Sequence, residues 1–388
     1  MNYRTKQKIK KRLPAFLVKK IKQIGDLFDR RPKIVYNIGY DVKKKYRILL
    51  CYVPNFLFAG ELNSLIGTRE KECSIFVNAL LSKSCIVDIC YVDYKGPFKD
   101  NYDYIIGQGP AFRLARTSNP QAKSVLYLTE MPPYYSFEKE RERAEYLYKR
   151  HKIKVNIERS GKYFIDEDLH GLEACIMMGR NGDEKYISGT RTYMIQPTGL
   201  NNSKFQIDNR NVDKSKYNYI WIGSFGAVHK GLDILFDVFA KHPELTLHVL
   251  GLQPQERQLL KKIIPSNVVD YGFIQISSDE FVEIANKCAF MIYPSCSEGV
   301  ATSVITAMNH GIIPLVSEVC SIEAEECGEV MSSYLVEDVE KVVLKWHKIS
   351  NEEILEKMKE SIKVANEWYT TEKYSETLHK ILYKILCD

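Results

Sequence analysis

Four short segments in the second half of the chain hold the residue types that could do chemistry. Gly223-Ser224-Phe225-Gly226 follows an apolar run directly, and Lys230-Gly231 opens the helical pattern after it. Pro294-Ser295-Cys-Ser-Glu298-Gly299 follows a second apolar run, and a short helical pattern starts at Thr302-Ser303 and stops at Gly311. A glycine turn after a strand lets backbone approach a ligand, and a helix start offers free N–H groups to phosphate. Lys230 is a mobile point charge suited to a diphosphate. A carboxylate such as Glu298 beside a phosphate site would repel it unless it served a second task, and holding neutral hydroxyl groups, as on a sugar, is such a task.

The elements that must position these residues are legible as alternation. From Tyr46 onward, runs that are apolar throughout (Arg47–Val53, Cys85–Val92, Tyr104–Gly107, Ser124–Thr129) alternate with helical patterns such as Gly67–Lys83. Strands apolar on both faces and separated by helices predict βαβ units with a covered parallel sheet. The charged stretch Ser136–Lys152 predicts a helix with a solvated face. A polar stretch at 201–216 predicts a linker, after which the alternation restarts at Tyr219–Gly223. It runs on through Leu245–Gly251, Val268–Ile274, Ala289–Ser295 and Ile312–Ser317, and helical patterns at about 336–366 and 371–386 close the chain. The expected fold class is α/β: two doubly wound Rossmann-like domains facing a cleft, with a basic N-terminal extension. The expected divisions are 1–44 for the extension, 45–200 and 201–365 for the domains, and 366–388 for a C-terminal helix returning to the first domain. In such sheets ligands sit beyond the carboxyl ends of the strands, which is where all four segments fall.

The order of these segments resembles the donor domain of GT-B glycosyltransferases of the family 4 kind, the glycosyl transferases group 1. That family's strand-Gly followed by Lys-Gly is matched by Gly223 and Lys230-Gly231. Its Pro-Ser-x-x-Glu-Gly is matched by Pro294-Ser295-Cys-Ser-Glu298-Gly299, and its Ala-Met-x-x-Gly-x-Pro by Ala307-Met308-Asn-His-Gly311 with Pro314 one residue late. In the first domain Gly67-Thr-Arg-Glu resembles the start of the helix after the family's glycine-rich loop, and Ile195-Gln-Pro-Thr-Gly199 its closing Pro-x-Gly. The resemblance implies a nucleotide-linked sugar donor (UDP- or GDP-linked) and transfer with retention. Lys230 would bind the donor diphosphate and Glu298 the donor sugar. The donor-binding set would be Gly67, Gly223, Ser224, Gly226, Lys230, Ser295, Glu298, Gly299, Thr302, Ser303 and Thr306. The sequence departs from the family in three places. The second Glu, eight residues after the first, is Thr306. The Arg after the first glycine is Ser224. The strand-end His of the first domain falls near Thr129-Glu130. Glu130 is expected to face the cleft from the acceptor side, orienting the acceptor hydroxyl or serving as a general base. Glu298, Lys230 and Glu130 are the expected catalytic residues.

Asp166-Glu-Asp168 has the D-x-D form of metal-binding transferases but lacks their strand context, and no His pairs with His or Cys at ligand spacing, so no metal and no other cofactor is expected. His229 adjoins Lys230 and could reach phosphate or face solvent. No G-x-x-x-x-G-K occurs, and Gly107-Gln-Gly109 lacks a third glycine, which argues against ATP and NAD.

Charge separates the start of the chain from the rest. Residues 1–33 carry twelve Lys/Arg against Asp26 and Asp29, a net of +10, while the whole chain is only +6. Ile9, Leu13, Phe16, Leu17, Ile21, Ile24, Leu27 and Phe28 recur at steps of three and four among these charges. The pattern predicts a basic amphipathic helix, kinked at Pro14, on an anionic membrane surface; the alternative is a helix packed on the protein's own domain, and no recognition module accompanies the charge to suggest nucleic acid. The apolar run Leu13–Val18 is short and broken by Pro14, unlike a secretory leader. The ten cysteines form no C-x-x-C, so buried free thiols in a cytoplasmic protein are expected. Together these predict a glycosyltransferase peripheral to the inner face of the plasma membrane, acting on a glycan or polyprenyl-linked acceptor. Rival readings on the same fold are a nucleotide-sugar epimerase or hydrolase, and a non-catalytic glycan- or nucleotide-binding protein.

Overall fold

The computed structural model describes residues 33–39, 45–58, 67–99, 101–180 and 182–387. The basic segment, apart from Lys33, lies outside the described residues. The first domain is a seven-stranded sheet in the order β1-β3-β2-β4-β5-β6-β7. Its strands are β1 (Ile34–Ile38), β2 (Tyr46–Tyr52), β3 (Cys85–Tyr91), β4 (Tyr104–Gly107), β5 (Lys123–Leu128), β6 (Ala174–Met178) and β7 (Thr192–Ile195). All neighbours pair parallel except β1, an antiparallel edge on β3. Helices α1 (Thr68–Leu81), α2 (Gly109–Ser118) and α3 (Pro133–His151) connect them. In α1 the stripe Cys73, Phe76, Val77 and Leu80 is buried, the three-four spacing of a helix laid on a sheet.

The second domain is a six-stranded, wholly parallel sheet in the order β10-β9-β8-β11-β12-β13. The strands are β8 (Asn218–Ile222), β9 (Thr246–Leu250), β10 (Val268–Gly272), β11 (Phe290–Tyr293), β12 (Ile313–Ser317) and β13 (Glu329–Met331). With α4 (Val212–Ser215) before them, the helices are α5 (Leu232–Lys241), α6 (Pro254–Leu260), α7 (Asp279–Lys287), α8 (Thr302–Met308), α9 (Val336–His347), α10 (Asn351–Trp368) and α11 (Thr371–Leu386). The chain leaves β8 for β9 on one side and later returns to β11 on the other. The sheet therefore changes direction between β8 and β11, and the loops after these two strands splay apart to leave a crevice. This topology brings the 223–231 and 294–299 segments together.

Three sequence expectations change here. The single helix expected over 336–366 is two, because Ser350 caps α10 by accepting the Glu353 amide at 3.1 Å. The polar linker is not a free strand of chain: Asn202 donates to the carbonyls of Ile276 and Ser278, at 2.8 and 3.2 Å. The charges of α3 are also not a merely solvated face. Arg143 is fully buried and donates to Pro294 O at 2.7 Å, Arg150 pairs with Asp233 and Asp237, and His151 meets Asp237 at 2.8 Å. A helix of the first domain is thus fastened to the second. The return of α11 is the reciprocal crossing: it packs on α1 and β7, and Tyr374 meets Tyr127 hydroxyl to hydroxyl at 2.9 Å. Its stripe Tyr374, Leu378, Ile381, Leu382 and Ile385 is buried. Each apolar side chain so buried contributes roughly 1.5–3 kcal/mol, enough to hold the two domains at a set spacing.

Candidate active site

A cavity of about 390 Å³ opens between the carboxyl ends of the two sheets. The first domain contributes Tyr52 at the end of β2, Arg69 and Glu72 from the first turns of α1, Thr129 and Glu130 after β5, and Arg159, Lys162 and Tyr163 from the loop after α3. The second contributes Gly223–Phe225, Lys230, Tyr293, Glu298 and Val300–Ser303.

Lys230 reaches this cavity through a tight turn. Its amide donates to Gly226 O at 2.9 Å and the Gly231 amide to Val228 O at 3.0 Å. Gly231 has φ +75 and lies so close to β11's exit that an added Cβ would sit 2.5 Å from Pro294 O, so this position requires glycine. Trp221 of β8 buries its ring beneath the turn and donates to Lys230 O at 3.2 Å. The ammonium then lies 3.0 Å from Glu298 Oε1. Glu298 is nearly buried and fully engaged: Ser295 donates to Oε1 at 3.0 Å and Arg159 to Oε2 at 3.1 Å. Burial would raise its pKa, but Arg159 and then Lys230 overcome that and bring it down to about 2. Burial, with Arg159 adding to it, pushes the Lys230 pKa down, while Glu298 opposes the fall.

Opposite them stands Glu130, half-buried, with no hydrogen bond or ion pair to any described residue. Glu72 is deeper. It accepts the Thr198 amide at 3.0 Å, and burial raises its carboxyl to about 7. A raised acid is stable in the fold while protonated, so its ionisation costs stability as pH rises from about 4.5, its unfolded value, through about 7. Glu72→Gln should therefore melt close to the parent at pH 5 and above it at pH 8. A gap that fails to widen across that range in thermal denaturation would contradict the assignment.

Of the residues expected from sequence, the structure gathers Lys230, Glu298, Glu130, Gly223, Ser224, Thr302 and Ser303 on the cavity wall. The others stand elsewhere. The amides of Gly226 and Ala227 donate to Glu256 Oε1 at 2.8 and 2.6 Å, so Gly226 offers no free backbone donor to a phosphate. Thr306 is turned to the linker and off the cavity wall: its hydroxyl spends its one donor on Thr302 O at 2.9 Å and accepts the Leu200 amide at 3.2 Å. Ser295 lies beneath Glu298 and Gly299 against Thr129, while Gly67 precedes α1 off the cavity wall. His229 is buried and meets Ser297 O through Nε2; burial holds it well below its ordinary pKa, so it is a neutral brace for the 294–299 loop. Asp168 is likewise committed, to Arg113 at 2.6 Å and the Ile165 amide at 3.0 Å, in a 3₁₀ turn. Cys51, Cys73, Cys85, Cys90, Cys175, Cys288, Cys296, Cys320 and Cys327 are buried free thiols, and Cys387 is exposed. Sequence reasoning missed Arg159, Arg69, Glu72, Lys162 and Tyr163. Arg69 falls within Gly67-Thr-Arg-Glu and Glu72 two residues beyond it, while no motif surrounds Arg159, Lys162 and Tyr163, which only their arrival in one cleft marks.

Comparison with known proteins agrees with this architecture. The family model "Glycosyl transferases group 1" matches residues 216–350. No curated protein matches the chain. Among solved structures, sucrose-phosphate synthase from Thermosynechococcus elongatus superposes with a TM-score of 0.62 at 13% identity, covering 88% of this chain and 99% of that one. HepE from Anabaena, solved with UDP and glucose, gives 0.55 at 13% identity over 87% of this chain and 100% of that one. A TarM mutant from S. aureus, solved with UDP, fondaparinux and α-GlcNAc-glycerol, gives 0.51 at 13% identity over 74% of this chain, which spans 55% of TarM's length. The second domain thus matches the glycosyl transferases group 1 over residues 216–350, and the chain as a whole shares the two-domain fold of these solved structures.

Proposed function

We propose that the cavity binds a UDP- or GDP-linked sugar and that the chain transfers the sugar, with retention, to a hydroxyl of a glycan or polyprenyl-linked acceptor. The observation that carries this reading is the asymmetry of the two carboxylates. Glu298 is held ionised by two cations at the second domain's sheet end, while Glu130 stands uncommitted across the gap. Lys230 would lie against the diphosphate and Glu298 against the sugar hydroxyls. Glu130 would then orient the acceptor hydroxyl. The proton of that hydroxyl can pass to the departing diphosphate oxygen on the same sugar face, so little acid/base work falls to the protein. Its main task is to meet the charge that develops on the diphosphate. That HepE was solved with UDP and glucose, and TarM with UDP and a glycan, supports a donor and acceptor of this kind.

With protein cations supplying the counter-charge, activity is expected to persist in EDTA. A thermal-shift screen against UDP, GDP, ADP and CMP identifies the nucleotide, since ligand at 100 times its dissociation constant adds about 2.7 kcal/mol of stability. Transfer from the corresponding nucleotide-sugar in EDTA then tests the reaction. Donor turnover without any acceptor would favour an epimerase or hydrolase, and a strict Mg²⁺ or Mn²⁺ requirement would refute the metal-independent reading.

We further propose that residues 1–33 hold the protein against an anionic membrane face, bringing a lipid-linked acceptor to the cleft. No helix among the described residues is long and apolar enough to cross a membrane. Each Lys or Arg near such a surface contributes roughly 1 kcal/mol. Deleting residues 1–33 should abolish salt-sensitive binding to vesicles containing phosphatidylserine while leaving nucleotide affinity intact; undiminished vesicle binding by the truncated chain would sink the assignment.

A further inference from the structure

Among the described residues that line the cavity, Lys230 is the one cation from the second domain. A single ammonium is a weak match for a diphosphate, the more so with Glu298 only 3.0 Å away and competing for it. The second cation comes from the other side of the cleft. Arg159 places Nη2 at 3.1 Å from Glu298 Oε2, and its Nη1 approaches Phe225 O at 3.5 Å, so the guanidinium lies against the turn that ends at Phe225-Gly226. Its own side chain is about one-fifth exposed, toward the cavity.

The placement of Arg159 is built rather than accidental. The amides of Glu158, Arg159 and Ser160 converge on one carboxylate, that of Glu140 in α3, at 3.4, 3.2 and 2.8 Å. In turn α3 is tied to the very loop that carries Glu298. Ser136 meets Ser297 at 2.8 Å, and Arg143 donates to Pro294 O at 2.7 Å. Although it is a first-domain residue, Arg159 is thus held in the frame of the second domain's site.

Resting on the nucleotide-sugar reading above, we propose that Arg159 is a diphosphate ligand supplied across the cleft, which completes with Lys230 the counter-charge for the leaving group. In the transfer the bond from the sugar's anomeric carbon to the β-phosphate oxygen breaks and its electron pair stays on that oxygen. The acceptor oxygen forms the new bond, and its proton passes to the released diphosphate. A planar guanidinium can bridge two phosphate oxygens with parallel N–H donors, whereas a lysine acts as a point charge. Glu298 holds both cations while the diphosphate is away. Donor binding exchanges that carboxylate for phosphate on the same N–H groups and leaves Glu298 to the sugar.

The competing role is that Arg159 only neutralises Glu298, and a double-mutant cycle on the full chain separates the two. Calorimetry with whichever of UDP, GDP or ADP binds the unaltered protein is run on Arg159→Ala, Glu298→Gln and the pair. The proposal expects Arg159→Ala to weaken the diphosphate about tenfold or more, and to do so equally in the Glu298→Gln background, where no carboxylate charge remains to neutralise. It also expects Ser224→Arg, added to Arg159→Ala, to recover part of the loss. If Arg159→Ala unfolds the protein, Arg159→Lys keeps a cation beside Glu298 and should still lose about threefold or more. An effect of Arg159→Ala that vanishes in the Glu298→Gln background, or an Arg159→Lys protein that binds like the parent, overturns the proposal alone. Failure of the unaltered chain to bind any of the diphosphates overturns the nucleotide-sugar reading and this inference with it.

Discussion

Lys230→Ala is expected to weaken nucleoside diphosphate binding by ~10²-fold and to slow transfer by at least as much, whereas Glu298→Gln should separate the two effects. The ammonium lies in the nearly buried floor of the cleft, where little water competes for an anion and a charge-assisted contact is strong. In the proposed transfer it meets the diphosphate in the ground state and more charge in the transition state, so both affinity and rate should fall when it is removed. Glu298→Gln removes the carboxylate that occupies Lys230 and Arg159 in the free protein, at 3.0 and 3.1 Å. Those cations are then released to the phosphate, and diphosphate affinity should stay within about threefold of the parent or tighten. Turnover should still drop by ~10², because losing one contact made to the sugar in the transition state costs roughly 3 kcal/mol. Calorimetry with the diphosphate beside transfer kinetics reads both quantities. Equal loss of diphosphate binding in the two variants would mean that Glu298 holds the loop or the ribose and not the donor sugar.

Gly299→Ala, a change of one methyl group, should cut turnover by ~10² while leaving the diphosphate affinity almost unchanged. Gly299 follows Glu298 and lies against the first domain's β5 exit. A Cβ there would sit 2.4 Å from Thr129 O, 2.7 Å from the carbonyl carbon and 3.0 Å from Glu130 Cα. All three are backbone atoms, so no side chain can swing aside to make room, and the two domains must part by the better part of an ångström. Glu130 and Glu298 are the groups so displaced, and misplacement of reacting groups by about 1 Å costs ~10²-fold in rate. Lys230 and the Gly223 turn are all on one side of the breach and keep their mutual geometry. A Gly299→Ala protein with parental turnover would show that the close approach of the domains has no part in catalysis.

The two examples mark a difference between what is local and what is not. Strand runs such as Arg47–Val53 and Ala289–Ser295 announce themselves, because a strand covered on both faces must be apolar at every position. The glycine turn, Lys230 and the Glu298 loop are equally legible, since a phosphate site needs small residues and a cation at fixed offsets along one stretch of chain. β1, β7 and β13 were missed for the opposite reason, since sheet edges are short and half-covered and their apolar content is diluted; β6 was missed as well, although it is buried throughout. The chain alone thus determined two Rossmann-like units and the sheet end of the second at which Lys230 and Glu298 meet.

Where residues come from separate elements, only the folded molecule decides. Nothing around Arg159 distinguishes it from the many other arginines and lysines of the sequence; it reaches the cleft because Glu140 gathers three successive amides and α3 bolts that turn to the Pro294–Gly299 loop. Thr306 and Gly226 sit at plausible motif offsets, yet the Thr302 carbonyl and the Glu256 carboxylate take the donors that a ligand would need. The same holds for the charge pattern of α3, which reads as solvated and is in fact the bridge between domains. Hydrogen bonds and ion pairs are satisfied by whatever lies nearby in space, and buried polar groups left without partners are costly. Offsets along the chain can propose a ligand for a side chain, but the partners packed around it determine whether it is free to take one.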